Sequence, residues 1–163
     1  MSRLNIRNVV LTDLDCVSEI ESLCFPAAEA DSKNIFQERI SVFSEGFFVA
    51  QLDDKVIGLV NGGVTNDTHL KDAFFKTMDL HIPNGDNIVI FGLDVHPDYH
   101  GRGYGKELMN HFIEAARKSG RKKVLLTCKK HLIKYYEQFG YINEGLSKST
   151  HGGATWYDMY LVL

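Results

Sequence analysis

A chain of 163 residues has room for one domain with a proper core, and two full domains would be cramped. Hydrophobic residues at 44% and charged residues at 24% exclude a disordered, collagen-like or disulfide-scaffold chain. Eighteen basic against 21 acidic residues give a net charge of −3, without the cationic surplus that nucleic-acid binding draws on.

Residues 4–10 alternate and are rich in β-branched side chains, which predicts a strand. Thr12 reads as a helix N-cap with Asp13 and Asp15 in the first turn, and Leu14, Val17, Ile20 and Leu23 give the helix an apolar stripe. Residues 25–30 break the pattern as a loop, and Ser32 starts a second helix carrying Ile35, Phe36, Ile40 and Phe43. Strands over 46–52 and 56–64 form a hairpin around Asp53 and Asp54. Residues 65–86 are polar and irregular, with a short helix near 70–78. The apolar run 87–95 predicts a central strand buried on both faces. A long helix follows, lined by Leu108, Phe112, Ile113, Ala115 and Ala116 and closed by Gly120. Residues 124–128 are a buried strand, 132–139 a short helix ended by Gly140, and 141–146 and 155–163 two last strands. Strand, long helix, strand is a parallel crossover, and the other strands read as antiparallel.

The segment from Leu93 to Lys106 carries the chemistry. A buried strand ends at His96, Pro97 stops the ladder, and Gly101, Gly103 and Gly105 open a helix. Free N–H groups in the first helical turn, with the dipole, suit a phosphate or pyrophosphate. The even glycine spacing fits the dinucleotide fingerprint poorly, and Gly105-Lys106-Glu107 is not a P-loop.

His100-Gly101-Arg102-Gly103-Tyr104-Gly105 resembles the acetyl-CoA signature of the GNAT superfamily of N-acetyltransferases, [Q/R]-x-x-G-x-[G/A], with His100 where Gln or Arg is usual. Residues 132–141 resemble the superfamily's second signature, a helix ending in LYEKxGF, and the order of elements agrees over essentially the whole chain. Phe25-Pro26-Ala27-Ala28-Glu29-Ala30 and the stretch from Leu125 to Tyr136 resemble arylalkylamine N-acetyltransferase-like members more closely. The resemblance implies an α/β (α+β) single-domain GNAT-like fold over 1–163. Its mixed, mostly antiparallel sheet has about seven strands, flanked by helices, with a central parallel pair splayed around acetyl-CoA.

It further implies cosubstrate binding by Leu93, Asp94, Val95, His100, Gly101, Arg102, Gly103, Tyr104, Gly105 and Lys106. The pantetheine arm would bond the backbone of Leu93 and Val95. Tyr136 matches the phenol that protonates the departing thiolate, and the adjacent Tyr135 is expected to face elsewhere. Relatives place an acid or His at the positions of Val89 and Phe91, both apolar here. Glu29 is therefore the favoured base, with Asp94, His69, His81, His96 and His151 as further candidates. Phe25, Glu29, Phe91 and Thr127 are expected to line the acceptor site. Cys128 reads as a small buried thiol rather than a nucleophile. Lys129 stands where many relatives carry an Asn that touches pantetheine.

The expected activity is direct transfer of acetyl from acetyl-CoA to a small primary amine, with no metal. The amine would enter a cleft formed by the 25–31 loop, the 65–86 insertion and the final hairpin. A non-catalytic acyl-CoA-binding module and a protein N-terminal acetyltransferase are the alternatives. Three cysteines without paired spacing, no signal-like segment at residues 1–10 and no long apolar run predict a cytoplasmic protein. It is expected to act without nucleic-acid or membrane partners, as a monomer or homodimer.

Overall fold

The computed structural model describes residues 3–163, so the expectation for the extreme N-terminus falls partly outside the described residues. Seven strands form one sheet in the order β1-β2-β3-β4-β5-β7-β6. They are β1 (Leu4–Asn8), β2 (Phe47–Leu52), β3 (Lys55–Thr65), β4 (Asn87–Val95), β5 (Lys123–Cys128), β6 (Ile142–Leu146) and β7 (Tyr157–Val162). Only β4 and β5 run parallel; every other pair is antiparallel.

Helices α1 (Leu14–Cys24) and α2 (Lys33–Phe43) cover one face. Val17, Ile20, Phe36 and Ile40 pack there on Phe47, Val49 and Leu59. Helix α3 (Tyr104–Lys118) covers the other face and buries Leu108, Met109, Phe112, Ile113 and Ala116, a three- and four-residue spacing that makes one apolar stripe. Helix α4 (Ile133–Glu137) is shorter than the sequence suggests, because Phe139 N and Gly140 N bond back only three residues, to Tyr136 and Glu137.

Thr12 does not cap α1. Residues Leu11–Asp13 form a 3-10 turn, in which Asp13 accepts from Val10 N at 2.9 Å and pairs with Arg7 at 2.8 Å. The stripe of α1 is also rotated from the expected one: Leu23 is exposed while Glu21 is buried. Ser32 does cap α2, accepting from Ile35 N at 3.2 Å. The 65–86 insertion holds two 3-10 turns, Asp72–Phe75 and Met78–Leu80, in place of a single helix.

Two irregularities shape the centre of the sheet. The β3–β4 register shifts so that Asn61 pairs with Gly92 and Gly62 with Ile90, which leaves Phe91 as a bulge. Parallel pairing of β4 with β5 spans only Asn87–Lys123, Ile88–Val124 and Val89–Leu125. Beyond Val89 the two strands part, and a cleft opens between them.

Candidate active site

The cleft exposes backbone as well as side chains. His96 N donates to Ile57 O at 2.7 Å, so residues 94 and 96 turn their peptide groups toward β3. Those of Leu93 and Val95 then face the split, where β5 no longer pairs with them. The Val95 carbonyl accepts from Cys24 Sγ at 3.2 Å and from His100 Nε2 at 2.5 Å.

On the α3 side lies an outer groove of about 540 Å³. It is walled by the glycine turn and the start of α3, by Leu93 and Val95, and by Tyr135 and Tyr136. Gly101 and Gly103 have φ of +75° and +83°, the left-handed region where a side chain is strained. Gly103 sits at the N-cap and offers no side chain to the helix, so the first-turn N–H groups are left for an anion. Gly105 matters for space: a Cβ there would lie 2.9 Å from the Tyr135 hydroxyl.

Eight of the ten residues expected at the cosubstrate line this groove: Leu93, Val95, His100, Gly101, Gly103, Tyr104, Gly105 and Lys106. Arg102 and Asp94 do not. Arg102 lies 5.5 Å from the Tyr99 ring centroid, and Asp94 points to the other face of the sheet. Tyr135 does not face away as expected. The helix lies along the groove, so two successive positions of α4 both border it.

On the α1–α2 side lies an inner cavity of about 340 Å³. Phe25, Glu29, Phe91 and Thr127 all line it, and Leu93, Val95, His100, Leu132 and Tyr136 belong to both spaces. Tyr136 therefore stands at the junction. Burial pushes its phenol well above the ordinary tyrosine range, so it stays protonated.

Glu29 reaches the inner cavity with its carboxylate engaged by Lys129 Nζ, at 2.8 and 2.9 Å. The Glu29 carbonyl bonds His151 Nε2 at 2.8 Å, and His151 stacks on Phe75 with ring centroids 4.7 Å apart. Trp156 Nε1 donates to His151 O at 2.9 Å. Gly152 packs on the same loop: a Cβ on it would stand 2.5 Å from Glu29 Cγ. The 25–31 loop, the insertion and the final hairpin thus close over the cavity together.

The other histidine candidates sit elsewhere. His69 pairs with Glu144 at 3.4 Å, His81 Nδ1 accepts from Val64 N, and His96 Nδ1 accepts from Asp98 N. Val89 is fully buried in the parallel pair, away from the cleft. Cys128 lies against Met159 Sδ, and burial raises its thiol to about 11. Among the described residues no group of three or more His, Cys, Asp or Glu could hold a metal ion.

Sequence reasoning missed Glu21, Cys24, Asp31, Phe75 and Trp156, which also line the cavity. For Glu21 and Cys24 a signal existed. Val17, Ile20, Glu21 and Cys24 follow helical spacing, and that stripe includes a carboxylate.

A curated protein named "Probable hydrolase YhcX" of Bacillus subtilis is 26% identical over 131 residues, which is 76% of this chain and 26% of that protein. "Uncharacterized N-acetyltransferase YkwB" of the same organism is 25% identical over 122 residues, 68% of this chain and 54% of that protein. The chain thus spans about a quarter and about half of the lengths of these two relatives. Among solved structures, the GphF GNAT-like decarboxylase in complex with isobutyryl-CoA superposes with a TM-score of 0.81, at 16% identity, over 97% of this chain and 98% of that one. The family model described as "Acetyltransferase (GNAT) family" matches residues 14–141, a range that includes both parted strands, the glycine turn and α4. The chain belongs to the acetyltransferase (GNAT) family.

Proposed function

We propose that this domain, over 1–163, is an N-acetyltransferase that moves the acetyl group of acetyl-CoA to a small primary amine by direct attack. One observation carries the reading: the outer groove and the inner cavity meet at Leu93, Val95 and Tyr136, where the sheet has parted. Pyrophosphate on the glycine turn would lay the pantetheine arm along the split, so that its thioester arrives at that junction. A solved relative of this fold binds isobutyryl-CoA, which supports an acyl-CoA here.

The chemistry follows from the groups at the junction. The neutral amine attacks the thioester carbon, and the Leu93 N–H in the split donates a hydrogen bond to the developing oxyanion. Backbone donors of this kind contribute roughly 3–4 kcal/mol in other acyl transfers. The C–S bond breaks, Tyr136 gives its proton to the sulfur, and the proton that the attacking nitrogen loses restores the phenol. Glu29, held by Lys129, supplies a carboxylate at the cavity mouth.

Phe25, Phe75, Phe91 and Trp156 wall the cavity, which favours an acceptor with an apolar or aromatic body, in line with the arylalkylamine-like resemblance. The Glu29–Lys129 pair and the His151 contact bridge the outer side of the cavity. A peptide leaving the site would have to part them, and this favours a small molecule over a protein N-terminus. Three free cysteines, one exposed, suit a reducing cytoplasm. No helix among the described residues is long and apolar enough to cross a membrane.

The test is acetyl transfer by the purified chain to a panel of primary amines and to short peptides with free N-termini, read as CoA release and product mass. Transfer to amines over peptides is expected. Tight CoA binding with no transfer to any acceptor would make it a binding module, and preference for peptides would make it an N-terminal acetyltransferase.

A further inference from the structure

Helix α1 buries a carboxylate where an apolar residue would suffice. Glu21 and Asp94 are 3% and 1% exposed, and both line the inner cavity. Glu21 Oε2 accepts from Asp31 N at 2.8 Å, but no donor from any other described residue reaches Glu21 Oε1 or either Asp94 oxygen, which face each other across the pair. Asn61 Nδ2 is equally unpartnered, while its Oδ1 accepts from Arg39 at 3.0 Å. Buried polar atoms without partners are costly and uncommon. Here they converge. A Cβ built on Gly92 would find Asp94 Oδ1 at 3.2 Å, Glu21 Oε1 at 3.7 Å and Asn61 Nδ2 at 3.8 Å. Gly92 leaves that space open, and Gly92 and Asp94 flank Leu93, whose peptide group faces the split.

The geometry points to this cradle around Gly92 as the seat of the acceptor's ammonium group, with the Glu21–Asp94 carboxyl pair taking its proton. The proposal rests on the amine-acetylating reading above and supplies the base that Val89 and Phe91 lack. Two carboxyls this close cannot both ionise, so they hold one proton between them and carry a single negative charge. The ammonium R–NH3+ enters against that charge. One N–H bond breaks, its proton joins the ionised carboxyl, and neutral R–NH2 is left with its lone pair free for the thioester carbon. The extra proton leaves the pair for solvent after turnover.

Burial raises both carboxyls, and for Asp94 the charge of Glu21 raises it further, which keeps the pair basic enough for this step. The groups that face the pair are Cys24 from α1, Asp31 and Arg39 (joined at 2.8 Å) from the loop and α2, Asn61 from β3 and Tyr136 from α4.

The experiment measures kcat and KM for butylamine and 2-phenylethylamine from about pH 5 to 9, with Asp94→Asn, Glu21→Gln and Gly92→Ala beside the wild type. Wild-type kcat/KM for the amine is expected to rise along an acidic limb. Asp94→Asn should lower it by about 10²-fold or more and displace the limb, with the KM for acetyl-CoA unchanged. Gly92→Ala puts a methyl in the cradle without touching a charge, so the KM for amine should rise; this variant decides the matter if Asp94→Asn fails to fold. Wild-type rates and pH profile in both carboxyl variants, or an unchanged amine KM in Gly92→Ala, would overturn the proposal alone. No wild-type transfer to either amine would overturn the amine-acetylating reading and this proposal with it.

Discussion

Tyr136 stands where the outer groove and the inner cavity meet, and its raised pKa keeps a proton on the phenol. A donor of that kind acts on the leaving sulfur rather than on binding. Tyr136→Phe keeps the ring, and with it the edge-to-face packing on Tyr141 at 5.9 Å between centroids. Single-turnover acetyl transfer should slow by about 10²–10⁴-fold, or less where water substitutes, with acetyl-CoA affinity little changed. Tyr135 borders only the outer groove, so Tyr135→Phe should transfer at nearly the wild-type rate. Equal rates for Tyr136→Phe and wild type would remove the tyrosine from the chemistry.

At the scale of elements, the glycine turn and the parted strands do the positioning. A Cβ on Gly103 meets nothing within 4 Å, so crowding inside the protein is not the constraint there. The constraint is φ of +83°, which a β-branched residue adopts only at a cost, together with the approach of an anion to the bare backbone. Gly103→Val should therefore weaken acetyl-CoA binding sharply, as read by calorimetry, while circular dichroism stays native. Unchanged affinity in a folded Gly103→Val would dissociate the turn from the cosubstrate.

These elements differ in how far the sequence reveals them. Strand β4 is read at its bounds because its run is mostly apolar and Pro97 ends it. The glycine turn is legible because three glycines have few other uses between a strand and a helix. The inner cavity is not, because its walls come from α1, the insertion, β5 and the final hairpin, far apart in the chain. Leu23 reads as part of the buried stripe of α1 when hydrophobicity alone sets the phase. The sheet instead buries Glu21 beneath Asp94, a tertiary choice that periodicity does not encode.

Across the whole molecule, buried acids give stability two opposing responses to pH. Burial alone would raise Asp13, but the Arg7 guanidinium and Val10 N–H hold it below the usual carboxylate range. Asp72 is partly exposed, and the Ser149 hydroxyl and Thr150 N–H outweigh its partial burial and pull it down. Stability from these two is present above the unfolded carboxylate pKa of about 4 and is lost as acid protonates them in the fold. Glu21 and Asp94 run the other way. Their folded pKa values lie above the unfolded ones, so their contribution is complete below about pH 4 and is lost as pH rises through the folded values. Thermal melts of Asp94→Asn should accordingly fall less than wild type between mildly acidic and alkaline pH. A parallel pair of melting curves would show that the two carboxyls titrate normally in the fold.

Acetyl transfer in this protein needs one continuous path from the glycine turn, along the parted strands, to the cavity under α1. An analogue in which the CoA sulfur is joined through an acetyl bridge to the nitrogen of 2-phenylethylamine would occupy that whole path at once. Calorimetric titration of the purified chain with this analogue and with CoA tests it most directly. The path predicts the joined molecule to bind at least about 10²-fold more tightly than CoA, because both spaces are filled by one ligand. Equal affinities would contradict it, since the amine arm would then find no cavity at the end of the groove.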